Sequence, residues 1–85
     1  MKIELKDTIE MMCSSDYKER FRAEYFQLKI RIKGLKNTLE KYKNGTLTFK
    51  PTCSFELLNS QLYAMKKYAL VLEERAEIEE ISLDI

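Results

Sequence analysis

A heptad pattern of apolar residues in the first half of the chain is the feature that most constrains its fold. The apolar side chains recur in steps of three or four residues over more than three repeats. They are Tyr17, Phe21, Tyr25, Leu28, Ile32, Leu35, Leu39 and Tyr42. This spacing puts all of them along one side of an α-helix, because three or four residues complete about one helical turn. The sequence therefore predicts one long helix whose apolar seam packs against another helix.

The ends of this helix are marked by residues with known capping preferences. Asp16 followed by Glu19 resembles a capping box, in which side-chain oxygens accept hydrogen bonds from free N–H groups at the start of a helix. At the other end, Asn44 and Gly45 supply the left-handed backbone conformation that commonly ends a helix. We therefore predict that the long helix spans residues 16–43.

The second half of the chain carries a matching seam, again with steps of three and four residues. Its members are Phe55, Leu58, Leu62, Met65, Ala69, Leu72 and Ala76. Ser54 is a suitable N-cap, so we predict a second long helix over residues 54–78. Residues 44–53, which include Pro51, form the only real loop between the two seams. Two seams of similar length joined by a short loop predict an antiparallel helical hairpin.

A shorter apolar segment precedes the hairpin and predicts a short helix over residues 3–13, which is too short to be stable alone. The chain has only two glycines and one proline, which argues against a fold of many strands and turns. We therefore predict an all-α fold, a long antiparallel helical hairpin with a short N-terminal helix, in a single domain of residues 1–85. The acidic tail after Glu77 is the part that we expect to fray.

The helices carry more apolar surface than one hairpin buries. A second stripe runs along the third helix, and two more apolar residues lie outside the seam of the second helix. These residues are Leu57, Ala64, Tyr68, Val71 and Ile78, with Phe26 and Ile30. Burying a large apolar side chain is worth roughly 1.5–3 kcal/mol, so we expect the first helix and other copies of the chain to cover this surface. The predicted assembly is a homo-oligomer. The alternative is that these are scattered surface residues of the ordinary kind.

The sequence offers little of the chemistry that an enzyme needs. It has no histidine, and Cys13 and Cys53 would lie at opposite ends of the hairpin, so we predict no metal site and no cofactor. Neighbouring carboxylates, as in Glu73-Glu74 and Glu79-Glu80, point apart on a helix and usually form a solvated face. We therefore predict a protein that is not an enzyme. The sequence contains no run of about 18 apolar residues, so we predict no membrane span. We expect the protein to reside in the cytoplasm.

Charge is distributed unevenly along the chain. Residues 1–50 carry 12 Lys or Arg and 7 Asp or Glu, whereas residues 51–85 carry 3 and 7. Several cations, including Arg31 and Lys33, follow the aromatic start of the long helix, a combination that suits a ligand with phosphates and flat bases. The alternative is that the aromatic residues belong to the core and the cations only solubilise the helix. Nucleic-acid binding is disfavoured by the acidic tail.

Three segments carry a resemblance to known proteins. The matching stretches are SDYKERFxxEYxxL in residues 15–28, GTLxFxPTC in residues 45–53 and QLxAMxxYxxxLExRA in residues 61–76. Together they resemble small phage and prophage proteins of Gram-positive gut bacteria, of the type labelled crAss-phage-related. A broader pattern is similar to the hairpin domain shared by anti-CBASS type 2 and anti-Thoeris type 1 proteins. It consists of Arg20, Glu24, Leu28, Leu35, Gln61, Met65, Tyr68, Leu72 and Arg75.

The second resemblance implies a function. Those proteins are non-enzymatic sponges that form homo-oligomers, typically hexamers, and sequester cyclic di- or trinucleotide immune signals in the bacterial host cell. It implies that Tyr17 stacks on a base, that Arg31 or Lys33 supplies a basic contact, and that Arg75 binds phosphate. Tyr17 and Arg31 would lie roughly 20 Å apart on one helix, so a shared pocket would combine two protomers. The alternative function is a helical adaptor that binds a host or phage protein through the second apolar stripe.

Overall fold

The computed structural model describes residues 3–84, and this part of the chain contains helices and no strand. A 3₁₀ turn at Leu5–Thr8 leads into the short helix α1 (Ile9–Met12). The two long helices are α2 (Tyr17–Asn44) and α3 (Phe55–Glu79). The molecule is elongated, with extents of 43 × 24 × 21 Å. The all-α prediction is confirmed.

Local capping contacts explain where the long helices begin and end. The Asp16 carboxylate accepts a hydrogen bond from the backbone N–H of Lys18 at 2.9 Å, and the Ser54 hydroxyl accepts one from Leu57 at 3.1 Å. Gly45 ends α2 in the left-handed region, with a φ of 72°. The reciprocal half of the expected capping box at Asp16 is not formed, because the Glu19 carboxylate accepts from Arg22 instead.

The two seams face each other along an antiparallel pair of helices. Contacts between opposite ends show the direction: the Tyr25 hydroxyl donates to Glu73 at 2.7 Å, and the rings of Tyr42 and Phe55 pack edge to face near the loop. The buried core that they enclose is continuous. Its helical members are Phe21, Leu28, Ile32, Leu39, Leu62, Ala69, Leu72 and Ala76. Every one of them belongs to a heptad seam that the sequence displays.

The N-terminal segment covers part of the extra apolar surface on α2. Thr8 is almost fully buried, and its hydroxyl accepts a hydrogen bond from the Gln27 side chain at 2.8 Å. Phe26, the residue directly before Gln27, is only 3% exposed. The N-terminal segment therefore packs against α2 next to Phe26, where the sequence led us to expect that the first helix covers part of the extra apolar surface.

The acidic tail does not fray, so that expectation is wrong. Glu80 takes a left-handed conformation with a φ of 57° and turns the chain back, and the backbone N–H of Ile81 donates to Ala76 at 2.8 Å. Ile81 is then only 6% exposed within the core, and Leu83 packs against the same core. Arg22 donates to the backbone oxygen of Asp84 at 3.2 Å. The burial of Ile81 and the packing of Leu83 therefore hold the tail against the two long helices.

The second apolar stripe on α3 stays open to solvent in the single chain. Leu57 is 61% exposed and Ile78 is 82% exposed, while Tyr68 and Val71 are each nearly half exposed. The stripe is therefore an uncovered surface of α3, and self-association remains a prediction.

Within residues 3–84, no helix combines the length and the apolar character that crossing a membrane requires.

Candidate functional site

The hairpin brings together two of the four residues that the resemblance implied. Tyr17 is the first residue of α2, and Arg75 lies in the last two turns of α3. Because the helices are antiparallel, these two ends meet although they are 58 residues apart in sequence. The Arg75 Nη2 atom donates a hydrogen bond to the Tyr17 hydroxyl at 2.7 Å.

Glu79 completes this arrangement, which we term the Tyr17–Arg75–Glu79 cluster. The Tyr17 hydroxyl donates to Glu79 Oε1 at 2.8 Å, and Arg75 Nε donates to Glu79 Oε2 at 3.1 Å. The guanidinium of Arg75 also lies 5.0 Å from the centroid of the Phe21 ring, a cation–π distance. Four side chains therefore hold one another at the open end of the hairpin.

Sequence reasoning missed Glu79, because it assigned adjacent carboxylates to a solvated face. One signal was available, since Arg75 and Glu79 are four residues apart on a helix and neighbours at this spacing meet on its surface. The contact between Glu79 and Tyr17 had no such signal, because it depends on how α2 and α3 are aligned.

The cluster has a definite protonation state at neutral pH. The hydrogen bond to Glu79 raises the pKa of the Tyr17 hydroxyl above its ordinary value, so the phenol keeps its proton. The hydrogen bond from Tyr17 lowers the pKa of Glu79, and the hydrogen bond from Arg75 acts in the same direction. The cluster thus joins a carboxylate, a neutral phenol and a guanidinium cation. The Tyr17 side chain is 46% exposed, so a ligand has access to it.

Arg31 and Lys33 lie elsewhere on the same chain. Both are exposed on α2, 14 and 16 residues after Tyr17, which is roughly 21 and 24 Å along the helix axis. Neither forms an ion pair with any residue between positions 3 and 84. Two residues separated by two positions point about 200° apart on a helix, so Arg31 and Lys33 face different directions. A single chain does not place either of them at the Tyr17–Arg75–Glu79 cluster.

A small apolar cavity of about 260 Å³ lies between the N-terminal segment, α2 and the tail. It is lined by Ile3, Tyr25, Phe26, Lys29, Ile30 and Leu83. Burial raises the pKa of Tyr25 to about 12, and the hydrogen bond to Glu73 adds to this effect. The cavity is smaller than the roughly 300–1,000 Å³ of typical ligand pockets, and it offers a single cation, Lys29. The cluster at the hairpin end is therefore the stronger candidate site.

The structure also bears on metal binding and on thiol chemistry. Across the described positions 3–84, no three His, Cys, Asp or Glu side chains are grouped so that they could hold a metal ion. Cys13 and Cys53 are exposed free thiols.

The chain is a helical hairpin, and the Tyr17–Arg75–Glu79 cluster forms a polar surface at the end opposite the loop. A family model described as Sequestin matches residues 15–78, which is more than half of the 85-residue chain. The chain belongs to the Sequestin family, whose name indicates a sequestering role. The matched range includes Tyr17, Arg31, Lys33 and Arg75 and ends one residue before Glu79. No curated protein and no solved structure matches the chain.

Proposed function

We propose that this protein is a phage-encoded anti-defence sponge that sequesters cyclic nucleotide immune signals in the cytoplasm of the bacterial host cell. Membership of a sequestering family supports the general role. The direct contact between Tyr17 and Arg75, at 2.7 Å, is the observation that carries the choice of ligand. An accessible aromatic ring beside a guanidinium suits a base that stacks and a phosphate that accepts charge-assisted hydrogen bonds.

The proposed working form is a homo-oligomer, a hexamer or smaller. The contacts assigned to Arg31 and Lys33 lie more than 20 Å from Tyr17 on one helix, so a second copy has to supply them. The exposed stripe on α3 offers the surface for this association, because covering each large apolar side chain is worth roughly 1.5–3 kcal/mol. The ligand site would then lie at a junction between hairpins. We propose the same relationship to anti-CBASS type 2 and anti-Thoeris type 1 proteins that the sequence resemblance implies.

Calorimetric titration with cyclic di- and trinucleotides and cyclic ADP-ribose isomers tests this function. We expect at least one of them to bind. Tyr17→Ala should then weaken binding by roughly 5- to 150-fold, since stacking on a base is worth about 1–3 kcal/mol. Arg75→Ala should weaken it by at least about tenfold, because a hydrogen bond to a charged group is worth about 1.5–3 kcal/mol.

Two variants serve as matched controls. Tyr63→Ala removes an exposed aromatic ring on α3 in place of Tyr17, and Lys67→Ala removes an exposed cation on α3 in place of Arg75. Tyr63 and Lys67 both lie nearer the loop than Arg75 does. Neither should change the affinity. Light scattering after size-exclusion chromatography reports the assembly in parallel. A stable monomer that gives no heat with any of these nucleotides would contradict the proposed function.

A second candidate function is that of a helical adaptor for a host or phage protein. The exposed stripe on α3, with Ile78 82% exposed, is the observation that favours it. A monomer that binds no nucleotide would leave this candidate ahead. If the protein binds nucleic acid with an affinity that falls steeply as salt is added, a third function, nucleic-acid binding through the basic helix, would be indicated instead.

A further inference from the structure

Arg75 already holds an anion in the free chain, and that anion is the carboxylate of Glu79. One oxygen of Glu79 accepts from Arg75 Nε at 3.1 Å, and the other accepts from the Tyr17 hydroxyl at 2.8 Å. A phosphodiester also presents two charged oxygens, and a guanidinium binds carboxylate and phosphate with the same donor geometry. The carboxylate of Glu79 therefore occupies one N–H donor of Arg75, at Nε, and the hydroxyl donor of Tyr17 with a group of the same charge as a phosphate.

We propose that Glu79 is an internal substitute for the ligand phosphate, and that a phosphate bound by Arg75 Nε and the Tyr17 hydroxyl displaces it. This inference rests on the proposed function and deepens it, because it makes Glu79 a residue that sets affinity and selects the ligand. A phosphodiester replaces both of the acceptor oxygens that Glu79 withdraws. A neutral nucleoside brings no charged oxygen, so it leaves the contact between Arg75 and Glu79 intact.

The surroundings of Glu79 allow this exchange. Glu79 is the last residue of α3, and its side chain is about one-third exposed, so water can solvate the displaced carboxylate. Exposed ion pairs of this kind are weak, and the contact is therefore easily replaced. The Lys18 ammonium, which donates to the backbone oxygen of Glu80 at 3.3 Å, offers the carboxylate a nearby cation.

Arg75 does not depend on Glu79 alone for its position. Its guanidinium lies over the Phe21 ring, and its Nη2 atom donates to the Tyr17 hydroxyl. Both contacts remain when Glu79 moves away. The cluster is thus arranged so that the anion can change while the cation stays in place.

Glu79→Gln separates this role from a purely structural one. Glutamine keeps the length of the side chain and an oxygen acceptor, and it removes the negative charge. We expect the variant to bind the cyclic nucleotide found for the wild type about two- to fivefold more tightly, the range that corresponds to an exposed ion pair. If the carboxylate instead held the site together, Glu79→Gln would bind more weakly, and that result would overturn the proposal.

Glu77→Gln is the matched control for net charge. Glu77 is an exposed carboxylate of α3 that lies two residues before Glu79, on a different side of the helix. Glu77→Gln should therefore have a negligible effect on the affinity for the nucleotide. Equal tightening by Glu77→Gln and Glu79→Gln would assign the effect to overall charge and contradict the proposal. Thermal unfolding of each variant shows whether the fold is intact.

A probe that is independent of the cyclic nucleotides keeps this inference separate from the proposed function. Inorganic pyrophosphate is titrated into ¹⁵N-labelled protein, and the Nε–Hε resonance of Arg75, assigned by its loss in Arg75→Lys, is followed by NMR. We expect the resonance to shift at a lower pyrophosphate concentration in Glu79→Gln than in the wild type or in Glu77→Gln. Identical titrations would overturn the role of Glu79. If no cyclic nucleotide binds while the titrations differ as expected, only the proposed function fails.

Discussion

Ile81 and Ile78 form a natural pair for testing whether the C-terminal tail is part of the folded core. The two residues have the same side chain and lie three positions apart, but Ile81 is 6% exposed and Ile78 is 82% exposed. Replacing Ile81 with alanine removes three buried carbon groups, at roughly 0.8 kcal/mol each. Corrected for the 6% exposure of Ile81, the expected loss in the free energy of unfolding is about 2 kcal/mol.

This loss is large for a chain of this size. A domain of 85 residues has a free energy of unfolding of roughly 4–13 kcal/mol. A loss of about 2 kcal/mol lowers the melting temperature by roughly 8–16 °C. The figure counts only the transfer of the three groups from water: a cavity left at Ile81 adds to the loss, and residual burial in the unfolded chain reduces it. At a protein concentration low enough to keep the chain monomeric, Ile78→Ala should change the free energy of unfolding by less than about 0.5 kcal/mol.

Urea unfolding followed by circular dichroism compares both variants with the wild type, first at one protein concentration and then at several. The midpoint should fall for Ile81→Ala, with little change in the slope of the free energy against urea concentration. Similar midpoints for Ile81→Ala and the wild type would refute the packing of the tail. If Ile78 lies in an interface between copies, the cost of Ile78→Ala will grow with protein concentration, whereas a cost within one chain will not.

Three further substitutions test local features of the helices by the same unfolding measurement. Gly34→Ala should stabilise the chain by about 0.5–1 kcal/mol, because a Cβ atom there meets nothing within 4 Å and alanine favours a helix; a loss of stability would contradict this. Asp16→Ala should cost about 0.5–2 kcal/mol, because it removes the N-cap contact to Lys18; an unchanged midpoint would count against that cap. The pKa of Tyr25 is raised from 10.0 to about 12 in the folded chain, so stability should fall as the pH rises between these values, where only the unfolded chain loses the proton. Tyr25→Phe should reduce that fall, and an identical pH profile for the two proteins would refute the assignment.

The helices of this protein follow from local sequence, because their causes lie within a few residues of each other. A seam spaced by three and four residues determines which side of each helix is apolar, and the buried residues Leu28, Leu62 and Leu72 all lie on it. The helix ends are equally local, since Asp16, Gly45 and Ser54 act on backbone groups at most a few residues away. Family resemblance added Tyr17 and Arg75, and the antiparallel pairing of the helices is what puts them in contact.

The tail and the candidate site were decided by tertiary structure. A non-glycine residue seldom adopts a positive φ, so no local signal indicates that Glu80 turns the chain or that Ile81 returns to the core. The contact between Tyr17 and Glu79 joins residues 62 positions apart, and a shift of one residue in the pairing of α2 and α3 would move them about 1.5 Å past each other. Sequence periodicity determines that two helices pair, whereas the packing of their side chains determines their exact alignment. The heptad seams therefore determined the hairpin, and only its folded alignment put a carboxylate, a phenol and a guanidinium at one end.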